Sequence, residues 1–179
     1  MFTNQKIIKF LIFIFCFNIF SSISQTNEDV PLNNIAINEI PKPISSLIFE
    51  DFSGNEINLK DYYGKLVIIN FWATWCAPCK REMISLDNLY KNTNFKNLQV
   101  FAVNMEQPNT LKTKKFFTDQ NIQKLKIFFD PNLNFVKEFK LRGVPTTILI
   151  NKKGEEFARI IGEVNFQDKK FLMWLSKYD

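Results

Sequence analysis

The sequence predicts an α/β domain in which a central mixed sheet is flanked by helices on both faces. Residues 66–72, Leu-Val-Ile-Ile-Asn-Phe-Trp, make a near-continuous apolar run, as in a strand buried on both sides. From residue 47 onward strand and helix patterns alternate, which builds a sheet with helices packed on it. Two glycine-containing turns, Ser53-Gly54-Asn55 and Lys152-Lys153-Gly154, each separate two short apolar runs in the manner of a hairpin.

In chain order, residues 47–52 and 56–59 are the strands around the first turn, and 66–72 is the buried strand. A helix is expected over 77–91, a second buried strand over 98–104 and a helix over 110–120. A short strand at 125–129 and a short helix at 131–139 follow. Strands at 146–150 and 156–161 flank the second turn. The last helix starts behind a cap at Asn165 and places Phe171, Trp174, Leu175 and Tyr178 on one stripe.

At 179 residues, 46% of them apolar, the chain holds one domain with a full core. Residues 1–24 read as a signal peptide. Lys6 and Lys9 make a basic start, 10–20 is an apolar run, and Ser22-Ile23-Ser24 offers a cleavage pattern before Gln25. Retained instead, residues 7–23 would associate the chain with the membrane as an anchor, although Asn18 interrupts them and a span needs about 20 apolar residues. Both readings place the folded part outside the cytoplasm, in the periplasm or on the outer face of the cytoplasmic membrane. Residues 25–45, with Pro31, Pro41 and Pro43 and little periodicity, read as a linker, leaving 46–179 as the domain. The formal charge of +5 falls to about +3 without Lys6 and Lys9, too mild and scattered for a nucleic-acid partner. There is no histidine, which removes His-based catalysis and many metal sites.

Trp75-Cys76-Ala77-Pro78-Cys79 stands where the buried strand turns into a helix. A zinc half-site would need two more ligands, and the remaining cysteine, Cys16, lies in the leader. A covalent haem site needs His after the second cysteine, where this chain has Lys80. A purely structural disulfide would close so short a loop that the unfolded chain is restricted little. Dithiol–disulfide exchange is the reading expected of Cys-x-x-Cys in an alternating α/β pattern. The spacing puts both sulfurs on one face of the first helical turn, close enough to bond. Free backbone N–H groups at the helix start favour a thiolate on Cys76, and Pro78 suits that turn because its missing N–H is not needed there. Cys76 is therefore expected to be the exposed, attacking sulfur and Cys79, one turn deeper, the resolving one.

On a helical projection from Cys79, Met83, Leu86, Leu89 and Tyr90 make an apolar arc, and Glu82 falls inside it, one turn from Cys79. Two readings stand. Glu82 either snorkels to water from the edge of the stripe, or is a partly buried carboxyl with a raised pKa that handles protons for the thiols. Lys80 and Arg81 point away from the arc, toward solvent.

The segment 71–83, Phe-Trp-Ala-Thr-Trp-Cys-Ala-Pro-Cys-Lys-Arg-Glu-Met, resembles the active-site segment of exported thioredoxin-like reductases of the TlpA/ResA type. Gly143-Val144-Pro145-Thr146-Thr147 is similar to that family's cis-proline loop, which packs against the cysteines and presents a backbone edge to substrates. The likeness runs from about residue 44 to the C-terminus. It implies a thioredoxin fold with an N-terminal β-hairpin extension and a strand–helix insertion between residues 106 and 139. It also implies a cis Val144–Pro145 peptide and substrate contacts at Trp75, Ala77, Pro78, Val144 and Pro145. Asn70 stands where cytosolic thioredoxins carry a buried aspartate, so the proton role passes to Glu82. Ile84 replaces a helix-kinking proline common in the family. The short loop before Pro145, with Thr146 after it, departs from the glycine-tyrosine loop and glutamate of dedicated Gram-negative cytochrome c maturation reductases.

The resemblance implies an exported thiol–disulfide oxidoreductase, working without cofactor or metal, that reduces cysteine pairs of protein substrates and is recharged by a membrane thiol electron donor. Two client types are implied: haem-attachment cysteines in cytochrome c maturation, and cysteines of copper-centre assembly in a terminal oxidase. A peroxidase is disfavoured because peroxidatic sites usually pair their cysteine with Thr and Arg. A redox-inert binding module on the same fold is disfavoured by the intact cysteine pair.

Overall fold

The computed structural model describes residues 32–179; the leader expected over 1–24 lies outside the described residues. Eight strands, β1 (Ile35–Pro43), β2 (Ile48–Asp51), β3 (Glu56–Asn58), β4 (Leu66–Trp72), β5 (Leu98–Asn104), β6 (Ile127–Phe129), β7 (Thr146–Ile150) and β8 (Glu155–Ile161), form one sheet. Its order is β1-β8-β7-β4-β5-β6-β2-β3. Four α-helices connect and cover it: α1 (Ala77–Lys91), α2 (Thr110–Asp119), α3 (Asn134–Phe139) and α4 (Lys169–Leu175).

β4 is buried at all seven positions, as its uninterrupted apolar run requires. It pairs in parallel with β5 and antiparallel with β7, so the sheet is mixed about this strand. Alternate side chains feed two cores. Leu66, Ile68 and Trp72 join Met83, Leu86 and Leu89 of α1 with Phe171, Trp174 and Leu175 of α4. Val67, Ile69 and Phe71 join Phe135 and Phe139 of α3, and here the core is strongly aromatic. Phe135 lies 5.0 Å from Phe49, 5.4 Å from Phe71 and 6.0 Å from Phe139, ring centre to ring centre.

The first turn closes the β2–β3 hairpin, with Gly54 at φ +82° and the Asp51 carboxylate accepting from the N–H groups of Ser53 and Asn55. The hairpin joins the sheet through the inserted strand β6, Glu50 opposite Phe129. Buried Asp87 of α1 fastens the insertion from the other side. Its carboxylate accepts from the backbone N–H groups of Gln123, Lys124 and Leu125 and pairs with Lys91. Burial alone would raise its pKa, but these four donors hold it below the ordinary value.

Three expectations are corrected. The linker expected over 25–45 contains β1, which pairs antiparallel with β8 from Ile35 opposite Ile160 to Pro43 opposite Glu155. Its pairing is interrupted by a bulge between Ile37 and Lys42 and it buries Ile35 alone, so no period-2 pattern marks it. Being an edge strand, it tolerates Pro41 and Pro43. The folded unit accordingly takes in β1, ahead of the boundary expected at 46. The last helix starts behind Asp168, whose side chain accepts from Phe171 N–H; Asn165 instead closes the preceding turn onto Gln167. Finally, α3 starts at Asn134 rather than 131, after Leu133 takes a left-handed φ of 55° and Asp130 accepts from Asn134 and Phe135 N–H.

Phe135→Ala should lower stability by about 3–5 kcal/mol, since a fully buried ring shared by β2, β4 and α3 is lost. A denaturant midpoint shifted by less than a fifth of that amount would show that this aromatic cluster does not hold the second face together.

Candidate active site

β4 ends at Trp72, and four residues carry the chain over the top of the sheet to α1. Cys76 is the cap residue of that helix and Cys79 lies in its first turn. The two are joined as a disulfide, with Cα atoms 5.3 Å apart. Cys76 Sγ also accepts from Cys79 N–H at 3.2 Å, so one of the free N–H groups of the helix start already points at the first sulfur. Cys76, expected to be exposed, is only 3% exposed in the disulfide, and Cys79 not at all. Around them Trp75 is 69% exposed, Ala77 is exposed and Pro78 half-buried.

The Val144–Pro145 peptide is cis, as the resemblance implied. Val144 packs against the core that contains both cysteines, and Pro145 is buried. The Pro145 carbonyl accepts from Gly162 N–H at 2.9 Å, which ties this loop to the end of β8. Gly162 has φ +90°, a conformation that a side chain would strain.

Glu82 does not snorkel. It is 2% exposed, below the sheet-facing side of α1, and both carboxylate oxygens are occupied. Oε1 accepts from Asn70 Nδ2 at 2.8 Å, and Oε2 from Val164 N–H at 3.0 Å. Asn70 Nδ2 also donates to Thr147 Oγ1 at 3.0 Å, while Asn70 Oδ1 has no partner among the described residues. Desolvation pushes the Glu82 carboxyl up to about 7, outweighing the two hydrogen bonds that favour its charged form; the nearby Glu163 charge adds to the rise. A group buried beside the cysteine helix thus titrates near neutrality.

Two contacts escape a reading of the sequence. The Glu106 carboxylate, two residues beyond β5, accepts from Thr74 N–H and Thr74 Oγ1, from Asn104 Nδ2 and from Lys112 Nζ. It therefore pins the loop that leads into Cys76. Burial opposes its charge, but these donors hold it down at about 2. Arg81 faces solvent as expected, and from there makes a two-pronged contact to Glu163 with Nε–O distances of 2.9 and 3.0 Å. That contact and the Asn34 amide, which donates to the Ile161 and Glu163 carbonyls, hold the segment presenting Val164 N–H to Glu82. The Thr74–Glu106, Arg81–Glu163 and Asn34 contacts join residues far apart in sequence, and only the fold brings them together. Helix α1 runs unbroken past Ile84, where no proline interrupts it.

A cysteine pair at a helix start, facing a cis-proline on a mixed sheet, defines the thioredoxin-like class of thiol–disulfide proteins. The AhpC/TSA family model matches residues 40–155, and the chain belongs to that family. Thiol-disulfide oxidoreductase ResA of Halalkalibacterium halodurans is 37% identical over 110 residues, covering 62% of this chain and 61% of that protein. The protein of the same name from Bacillus cereus is 33% identical over 125 residues, covering 70% and 71%. Among solved structures, a DsbF homologue from Corynebacterium diphtheriae superposes with TM-score 0.67 at 24% identity, over 80% of this chain and 92% of that one. StoA from Bacillus subtilis does so with TM-score 0.61 at 24% identity, over 73% and 97%. Those two show the thioredoxin-like fold. Family, fold and the Cys76–Cys79 pair make the chain a thiol–disulfide oxidoreductase.

Because the native protein holds the Glu82 proton more tightly than the unfolded chain, Glu82 costs stability as pH rises from about 4.5 to about 7, by on the order of 3 kcal/mol. Glu82→Gln should flatten stability across that window. Parallel stability–pH curves for wild type and variant, measured by denaturant unfolding of the oxidised forms, would contradict this assignment.

Proposed function

We propose that this chain is an exported reductant of protein disulfides, with Cys76 attacking, Cys79 resolving and Glu82 carrying protons. The observation that carries the reading is the buried Glu82 carboxyl in the first turns of the cysteine helix. In the reducing direction, the Cys76 thiolate attacks a substrate disulfide and expels one substrate thiolate, forming a mixed disulfide. Cys79 then attacks Cys76 Sγ, the second substrate sulfur leaves, and the Cys76–Cys79 disulfide remains. Two electrons pass to the substrate, and the proton lost by Cys79 has an acceptor in Glu82 near neutral pH.

Direction follows from charge. An oxidant of this class needs a strongly stabilised Cys76 thiolate, whereas an ionised Glu82 nearby disfavours a second negative charge and so favours the disulfide form. Exported compartments oxidise thiols by default, so a reductant there requires a membrane thiol donor to recharge it. Residues 1–24 supply either the export signal or, through 7–23, the anchor; no helix among the described residues is long and apolar enough to cross a membrane. Trp75, Ala77, Pro78, Val144 and Pro145 are the surface that meets the substrate cysteine. The clients favoured are the haem-attachment cysteines of apocytochrome c, with copper-centre assembly of a terminal oxidase second.

The Cys79→Ser protein should accumulate a mixed disulfide between Cys76 and substrate, recovered by non-reducing electrophoresis after incubation with oxidised substrate. Trapping by Cys76→Ser instead reverses the two roles. A reduction potential near about −120 mV, that of a dedicated oxidant, would exclude the reducing direction. A deletion strain that keeps c-type cytochromes but loses oxidase copper would transfer the assignment to the second client.

A further inference from the structure

Beside the cis-proline loop lies a groove of about 980 Å³ that the exchange chemistry does not use. One wall is the outer face of β8 and β1, where Arg159 stands opposite Ala36 and Ile161 is 64% exposed. The other wall is Phe139 at the end of α3 and the loop of residues 140–142. It is lined by Val144, which packs against the core containing both cysteines, by Pro145, and by Pro43 and Ile44 of the β1 side.

Its charge is one-sided. Lys42, Lys140 and Arg142 line it, are exposed, and have no carboxylate partner among the described residues. Arg159 is spent on Glu156, with Nε–O 2.7 Å, and on the Phe139 carbonyl. The remaining carboxylate, Glu138, is turned aside to Ser45. Three cations without a carboxylate partner among the described residues thus line the groove together with the apolar Phe139, Leu141 and Ile161 of its two walls, beside the cis-proline loop.

The geometry points to a docking groove for an extended acidic segment flanking the substrate's cysteine. This rests on the thiol–disulfide reading of the site and adds a substrate class to it: proteins carrying Asp or Glu beside the cysteine to be reduced. Apolar side chains of the segment cover Ile161 and Leu141, while its carboxylates meet Lys42, Lys140 and Arg142.

The test uses fluorescein-labelled peptides in which Ser replaces the cysteine, one with Asp and Glu flanking it and one with Asn and Gln. Anisotropy against the full chain should show the acidic peptide bound about tenfold more tightly at low salt, an advantage that shrinks at high salt. The double substitution Lys140→Gln/Arg142→Gln should remove most of that ratio. Equal binding of the two peptides, or a preference that survives the substitutions, overturns the groove. Sedimentation adds a further check: a dimer dispersed by the same substitutions puts a second copy there and also overturns it. Turnover of the amide peptide in its disulfide form, with a thiol donor, reports exchange separately. Its absence sinks the function reading without touching the binding result.

Discussion

A carboxylate buried in the core must be given donors from somewhere, and Glu82 draws its donors from two different parts of the sheet. Asn70 comes from the centre of β4 and Val164 from the turn after β8, while Thr147 of β7 accepts the second proton of the Asn70 amide. The helix that carries the cysteines is thereby fixed to the strand before it and to the chain that closes the domain. Pairing Asn70 opposite Thr147 in the β4–β7 register makes this possible. A slip of β4 by one residue would turn Asn70 to the aromatic face and leave Glu82 with Val164 N–H alone.

The same segments position the substrate side of the site. Thr147 is two residues beyond Pro145, and Val164 is two beyond Gly162, whose N–H binds the Pro145 carbonyl. The cis-proline loop and the Glu82 cradle are thus opposite ends of one pair of chain segments. Arg81 reaches from the outer side of α1 to Glu163 in the same stretch. As an exposed ion pair it contributes little stability, so its effect is on where Val164 and Glu163 stand. Glu106 does the equivalent for the approach to Cys76, holding Thr74 by backbone and hydroxyl.

What could be read from the sequence was local. The Cys76–Cys79 spacing, the buried run ending at Trp72 and the helical phase of Glu82 each follow from residues within a few turns of one another. Phase alone left Glu82 between solvent and core, because it fixes direction and not depth; Asn70 and Val164, at separations of 12 and 82 residues, decide it. β1 was unreadable for a related reason. Its pairing with β8 supplies order that its own sequence, with two prolines and a bulge, does not encode. Glu106 and Glu163 look like ordinary surface acids until the fold brings Thr74 and Arg81 to them. Asn165 reads in sequence as the cap of the last helix, but its side chain closes a turn onto Gln167 N–H and Asp168 caps the helix through Phe171 N–H.

Coupling between Glu82 and the cysteines has a direction that the geometry dictates. Reducing the disulfide adds two electrons, and protons follow unless a thiolate is held. With Glu82 ionised, a thiolate on the same helix face meets a like charge in a poorly solvated place, so the reduced pair retains its protons more firmly and the disulfide form gains relative stability. With Glu82 protonated that penalty disappears, and thiolate formation at the helix start becomes easier. On the proposed mechanism the carboxyl and the two thiols act as one coupled group. Because Glu82 sits near neutrality through burial, any motion that admits water to it lowers its proton affinity and strengthens its opposition to the thiolate.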